Sequence, residues 1–437
     1  MEQADKAPAQ PEGGPYAWYV VFVLILAYTF SFIDRQALTL MVGPIRESLD
    51  ITDTQLSLLH GFAFALFYTI MGIPIGRMVD RRRRTWIIAA GIVFWSLATA
   101  ACGLARNFIQ MFLARVGVGV GEAALSPGAY SLISDYFPPE QRAQAMSLYL
   151  GAAYVGAGLA TIIGGTLISL MPAMDWPVVG HLEPWQGVFI AVGLPGVLVA
   201  LLVLTLREPP RIGAIKGEHP SFRQVLAYIG QRKRTYFTLM LGFAIAGTVW
   251  NGAVAWLPEF YKRTFGWDVA TVGLRFGLVT IVSGTLGAIT GGTLASRNRA
   301  RGITDANVRI GLVSLAVLAP GGLLTVLSGD PALALAGNFI FLFGCAMPFG
   351  AAAAAIQEIT PNQMRGQVSA IYLFGLSFFG MGFGPTIVAF FTDSVFGNDA
   401  AIGQSIAMLI VIATPIAAVL LMAALRPYRE TLASIEF

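Results

Sequence analysis

Along the chain, apolar runs alternate with short polar connections. Twelve such runs stand out, near 17–41, 55–79, 86–105, 108–134, 143–171, 186–206, 235–260, 270–295, 306–328, 331–357, 367–392 and 402–425. A hydrocarbon core about 30 Å thick needs about 20 apolar residues of helix to cross it. Lipid offers no partner to an unpaired backbone group, so runs of this length predict helices, whereas a β-barrel would show shorter alternating segments. The pattern predicts an all-α membrane protein with twelve transmembrane helices.

Composition agrees. Hydrophobic residues make up 56% of the 437 and charged residues 12%, against about 45–50% and about 25% in soluble domains. Residues 1–14 are polar and lack a basic n-region, and the run that follows is too long for a signal h-region, so the first span is expected to stay in the mature chain.

The net charge of +4 acquires its meaning from where the basic residues fall. With the N-terminus inside, only Arg46, Arg106, Lys262 and Arg263 lie in outer loops. Arg35, Arg115 and Arg275 fall within spans, and every other Lys and Arg is cytoplasmic. Such asymmetry sets both termini inside. It accounts for the basic charge without a nucleic-acid partner.

Two segments repeat. "SDYFPPEQRAQAMS" after the fourth run returns as "QEITPNQMRGQVSA" after the tenth, aligning Asp135, Pro138 and Arg142 with Glu358, Pro361 and Arg365. "GRMVDRRRR" from Gly76, after the second run, returns as "GTLASRNRAR" from Gly292, after the eighth. Six spans have been duplicated. The domain reading is a cytoplasmic tail at 1–16, a six-helix bundle at 17–206, a cytoplasmic linker at 207–234, a second bundle at 235–425 and a tail at 426–437. Within the linker, "SFRQVLAYIGQ" reads as a short amphipathic helix on the membrane surface.

Two pseudo-symmetric six-helix halves joined by one linker resemble the major facilitator fold, whose members bind substrate at midplane between the halves. "GRMVDRRRR" resembles that family's loop signature, with Arg83 standing where a second glycine is usual, and in the repeat Ser296 replaces the acid. "FIDRQ" (32–36), "FWSLAT" (94–99) and "RVGVGVGEAALSPGAYSLISDYF" (115–137) together resemble the Spinster branch of sphingolipid transporters. The resemblance implies transport by alternating access and involves the acidic and basic residues matching Asp34, Arg35, Arg115 and Glu122 in coupling and substrate passage.

The residues carry a reading of their own. A charge at the bilayer centre costs at least ~2.5–3.5 kcal/mol, so such residues face a cavity or one another. Asp34 and Arg35 lie late in the first span, and Arg115 lies at their level on the fourth, with Glu122 about 10 Å deeper on the same face. Asp34 and Glu122 are expected to titrate, with Arg35 and Arg115 as switchable partners. Arg35 also suits an anionic head group.

The expected substrate wall comprises Arg35, Glu122, Trp250, Asn251 and Met347: charged in one half, apolar and aromatic in the other. Asp80, Arg81, Arg84, Asp135 and Arg142, at cytoplasmic helix ends, are expected to close the inner gate. His60 reads as interfacial. Cys102 and Cys345 lie in spans as small apolar residues, so no metal or cofactor is expected. No lysine sits in a phosphate loop and the three His form no H-E-x-x-H, which excludes the commonest enzyme signatures.

The expected function is proton-coupled export of lysolipid- or sphingolipid-like amphiphiles by a monomer in a bacterial inner membrane, with protons and membrane lipids as the other partners. The alternative is proton-coupled transport of small organic anions or drugs.

Overall fold

The computed structural model describes residues 14–177, 180–210, 220–361 and 363–434, without the side chains at 80, 139, 140, 143 and 147. The Asp80 part of the inner-gate expectation therefore lies outside the described residues. Twelve helices are long and apolar enough to cross a membrane: Pro15–Leu40, Asp53–Val79, Arg84–Cys102, Phe108–Tyr136, Gln144–Leu170, Pro184–Leu204, Lys233–Phe265, Val269–Ala300, Ala306–Leu327, Pro331–Glu358, Arg365–Phe396 and Asp399–Ala433. Each overlaps one of the twelve apolar runs.

Short polar side chains set where several spans begin. The Thr52 hydroxyl accepts from the Gln55 amide while the Gln55 side chain accepts from the Thr52 amide, a reciprocal cap. Asn107, Asp268 and Asp330 cap the fourth, eighth and tenth spans in the simpler way. Each cap contributes about 1 kcal/mol. Gly266 (φ 64°) and Gly397 (φ 60°) end the seventh and eleventh spans in the left-handed region that glycine adopts without strain.

Five spans are interrupted along their length, the sixth where a turn at Leu194 and Pro195 separates Pro184–Gly193 from Gly196–Leu204. The second opens into a π-helical turn at Leu58–Phe62, and the eleventh does so at Leu376–Phe383 and again at Phe391–Phe396. The fourth breaks after Glu122 and resumes at Leu125, while the tenth breaks at Met347, where Pro348 supplies no N–H. The breaks in the fourth and tenth spans hold corresponding places in the duplication.

Pro15 and Ala433 lie at one end of the bundle, the base; the opposite end is the crown. The halves come close where the fifth span crosses the eighth. A Cβ on Gly165 would fall 2.8 Å from the Val269 carbonyl oxygen and 3.0 Å from Gly273 Cα, so only backbones without side chains fit. A small hairpin, Met174–Trp176 against Gly180–Leu182, joins the fifth and sixth spans at the crown. In the linker, the helix Phe222–Gln231 forms as expected. It leans on the second half through buried Val225 and a Tyr228 hydroxyl donating to the Ile359 carbonyl at 2.9 Å.

Candidate functional site

Four charged residues from two helices meet inside the first half. Asp34, Arg115 and Glu122 are 2%, 1% and 1% exposed, and the Arg35 side chain 21%. The first span is unbroken through Asp34 and Arg35, so these neighbours point about 100° apart. Arg35 takes the direction of Glu122. Its Nε donates to Glu122 Oε2 at 2.8 Å, and its Nη2 reaches the same oxygen.

The Arg35 guanidinium lies against the rings of Phe64 at 4.5 Å, Phe32 at 5.4 Å and Tyr68 at 5.7 Å. Such contacts hold a cation that has given up part of its water. Ser31 stands beside Glu122, and Glu122 Oε1 has no hydrogen bond among the described residues.

Asp34 is arranged differently. Thr99 stands beside it, yet Oδ1 makes no hydrogen bond of ordinary geometry. The Arg115 guanidinium lies close and is spent on main-chain oxygens: Nε donates to the Leu59 carbonyl at 3.3 Å and Nη1 to the Asp34 carbonyl at 3.5 Å. The expected exchange of partners is therefore resolved unequally. Glu122 has Arg35, and neither arginine holds the Asp34 carboxyl.

Phe64 lies between the two arginines, 5.9 Å from Arg115. His60 belongs to this cluster rather than to the interface: half-buried in the π-helical turn, its Nδ1 lies 3.5 Å from Thr39 Oγ1.

In the second half, Asn251 donates to the Gly247 carbonyl at 2.9 Å and faces Gly380 of the eleventh span; Trp250 is half-buried. Met347 does not line the space between the halves. The break before Pro348 turns it inward, where it packs with Ala295, Ile310 and Ala351 and its carbonyl abuts Gly291.

Of the residues expected at the inner gate, Arg84 and Asp135 meet in a knot within the first half. Arg84, fully buried, donates to Glu208 at 2.7 Å, to Ser131 Oγ at 2.9 Å, to the Pro209 carbonyl at 2.9 Å, and to Asp135. Glu208 was not singled out in the sequence because it sits in a loop among other charges. Burial works against its charge, but the Arg84 hydrogen bond and nearby amides outweigh that and hold its carboxyl below the usual range.

Arg142 donates to the Phe137 carbonyl of its own turn at 3.3 Å, and Arg81 is exposed. In the repeat, Glu358 accepts from Arg299 at 2.7 Å, Asn307 at 3.0 Å and Tyr428 at 2.5 Å.

Sequence reasoning missed the crown. Asp53, fully buried, accepts from Arg263 at 2.8 and 3.1 Å, and Arg46 bridges Asp53 at 3.0 Å and Asp399 at 2.7 Å. Thr54 donates twice to Asp393, at 2.7 and 2.6 Å, Ser57 donates to Thr386 at 3.2 Å, and Lys262 reaches the Leu40 carbonyl at 3.3 Å. Each of these contacts except Arg46–Asp53 ties one half to the other. The one available signal was that all three basic residues are exceptions to the positive-inside asymmetry.

Two six-helix bundles from a duplicated sequence, broken at the matching fourth and tenth helices and holding a buried charged cluster in the first half, define a membrane transporter. The profile of the Major Facilitator Superfamily matches residues 24–385, and the chain belongs to that family. Its likeness extends to the Spinster branch. The solved structure of a bacterial homolog of the human lysosomal transporter Spinster, inward-facing and unoccupied, is 29% identical with a TM-score of 0.78 over 96% of this chain and 97% of that one. The solved structure of a bacterial Spinster homolog in an inward-facing and occupied conformation has a TM-score of 0.77 at 28% identity, covering 97% of this chain and 98% of that one.

Among curated relatives, the MFS-type efflux pump of Mycolicibacterium smegmatis is 27% identical over 94% of this chain and 92% of that protein. Protein spinster homolog 1 of Xenopus tropicalis is 29% identical over 76% of this chain and 64% of its own length. The probable L-galactonate transporter of Escherichia coli is 28% identical over 62% of this chain and 60% of its own length.

Proposed function

We propose that the protein is a proton-coupled secondary transporter that works by alternating access and exports lysolipid- or sphingolipid-like amphiphiles. The observation that carries the reading is the unequal pair of buried carboxyls: Glu122 is neutralised by Arg35, while Asp34 has Arg115 close by but engaged with carbonyls. Burying an unpaired carboxylate is expensive, so Asp34 enters this state with its proton and can leave it only by gaining a cation. Arg115 is within reach to be that cation. Glu122, exchanging Arg35 for a proton, frees a partly exposed guanidinium for a phosphate or carboxylate head.

The base is assigned to the cytoplasm of a bacterial inner membrane, with both termini inside, because the basic loops gather there. The closed crown then corresponds to an inward-facing state, in keeping with the inward-facing Spinster homologs. The inner gate of the opposite state is assigned to Asp80, Arg81, Arg84, Asp135 and Arg142. Trp250 supplies apolar wall for a lipid tail, with the polar Asn251 beside it on the same substrate wall, and the working unit is the monomer.

A second reading, proton-coupled transport of a small organic anion or drug, is favoured by the likeness to the efflux pump and the L-galactonate transporter. Flux of a lysophospholipid and sphingoid panel in proteoliposomes under an imposed pH gradient separates the two. Gradient-driven lipid flux that is lost in both Asp34→Asn and Glu122→Gln is expected. Lipid flux indifferent to pH removes the proton coupling, and flux confined to a small-anion panel replaces the substrate.

A further inference from the structure

We infer that Gly61 is the positioning residue through which the Asp34–Arg115 cluster acts on the seam between the two halves. The inference rests on the proton-coupled reading above and supplies the connection that reading lacks, between a buried carboxyl in one half and a movement between halves.

A π-helical turn leaves the regular i→i−4 ladder and is a common mark of a functional position within a helix. Two such turns, one from each half, meet here. Gly61 lies in the turn Leu58–Phe62 of the second span, and a Cβ built on it would fall 2.1 Å from the Met381 carbonyl oxygen and 3.2 Å from that of Gly382. Met381 and Gly382 belong to the turn Leu376–Phe383 of the eleventh span. The approach is local, because a Cβ on Gly72 or Gly76, farther along the second span, would meet nothing within 4 Å.

Two residues before Gly61, the Leu59 carbonyl accepts from Arg115, which also reaches the Asp34 main chain. The groups facing Asp34 are Arg35 on its own helix, Thr99 and Cys102 from the third span, and Arg115 and Glu122 from the fourth; His60 of the second span faces Arg115. An ionised carboxylate adds to the hydrogen bond a charge–charge attraction that a neutral carbonyl lacks, and it can take both prongs of a guanidinium.

When Asp34 gives its proton to solvent, Arg115 turns from the Leu59 carbonyl to the carboxylate. The released turn tightens towards α-helical pitch, and Gly61 shifts along Met381. Because the fit at Met381 excludes even a methyl group, that shift separates the second and eleventh spans at the crown.

The test is a spin-label pair across the crown, at the exposed positions Ser48→Cys and Val395→Cys in a Cys102→Ala, Cys345→Ala background, with distances measured in lipid nanodiscs between pH 5 and pH 9. The otherwise unaltered protein is expected to lengthen as pH rises. Gly61→Ala is expected to hold the long distance at every pH, while Gly72→Ala behaves as wild type. Arg115→Lys, which keeps the charge and loses the fork, is expected to flatten the pH response.

If Asp34→Asn keeps the wild-type response, the proton-coupled reading falls and the inference with it. If Asp34→Asn abolishes the response but Gly61→Ala leaves it intact, the reading stands and the route through Gly61 is overturned. Should Gly61→Ala not fold, Arg115→Lys decides, and an unchanged response in that variant overturns the route.

Discussion

Glu122 and Asp34 show how residues of similar chemistry diverge through a few ångströms of surroundings. Breaking a buried ion pair from one side costs about 3–5 kcal/mol, whereas replacing both members by packed apolar groups is often neutral. Glu122→Ala is therefore expected to lose about 3–5 kcal/mol of stability, and Arg35→Met combined with Glu122→Leu to recover most of it, as read by thermal denaturation in detergent. Equal losses in the single and double variants would mean that the pair is not the source of the effect. The four charged residues were legible in sequence because a charge within an apolar run is conspicuous. Their pairing was not, because adjacent residues on a helix point in different directions and which of them reaches a neighbour depends on how two helices are rotated.

Helices were legible for a related reason: a span must be long and apolar, and both properties are local. Their interruptions were less so. Pro348 announces the break in the tenth span, but nothing in "LLHGF" or "LSFFGMGF" separates a π-helical turn from an ordinary one, since such turns are fixed by what packs against them. At the base, the end of the fourth span, the start of the third and the head of the linker are joined through Arg84, Asp135 and Glu208.

The Glu208 carboxyl is held below its ordinary value, so its contribution is fully present above that value, about 4.3, and is lost as pH falls through the lower folded one. The gap in melting temperature between wild type and Glu208→Gln is expected to be widest near pH 7 and to narrow progressively as the pH falls below that ordinary value. A gap that persists in acid would show that the Arg84 contact is not what Glu208 contributes.

For the whole molecule, the duplication and the short loops gave the two-halved architecture, while the crown had no equivalent signature. Its acids and bases lie far apart in sequence and are brought together only when the halves meet. Asp53→Ala removes the buried carboxylate that Arg263 and Arg46 share, leaving Arg263 to Glu259 and Arg46 to Asp399, and it is expected to loosen the crown by about 1.5–3 kcal/mol, the worth of hydrogen bonds to charged groups. Each 1.4 kcal/mol is a tenfold change in an equilibrium. A cysteine placed at Ser57 should therefore react with an impermeant thiol reagent at least ten times faster in Asp53→Ala than in the parent. Equal rates would mean that the closed crown rests on backbone packing such as Gly165 against Gly273.

The linker is fastened at both ends and to different partners. Glu208 and Pro209 are held by Arg84 in the first half, whereas Pro220 accepts from Gln367 and Tyr228 donates to Ile359 in the second. A chain divided between Pro210 and Pro220 keeps every one of these attachments. The molecule is thus suited to production as two separate polypeptides that find each other in the bilayer, which would let each half be mutated, labelled or exchanged without touching the other.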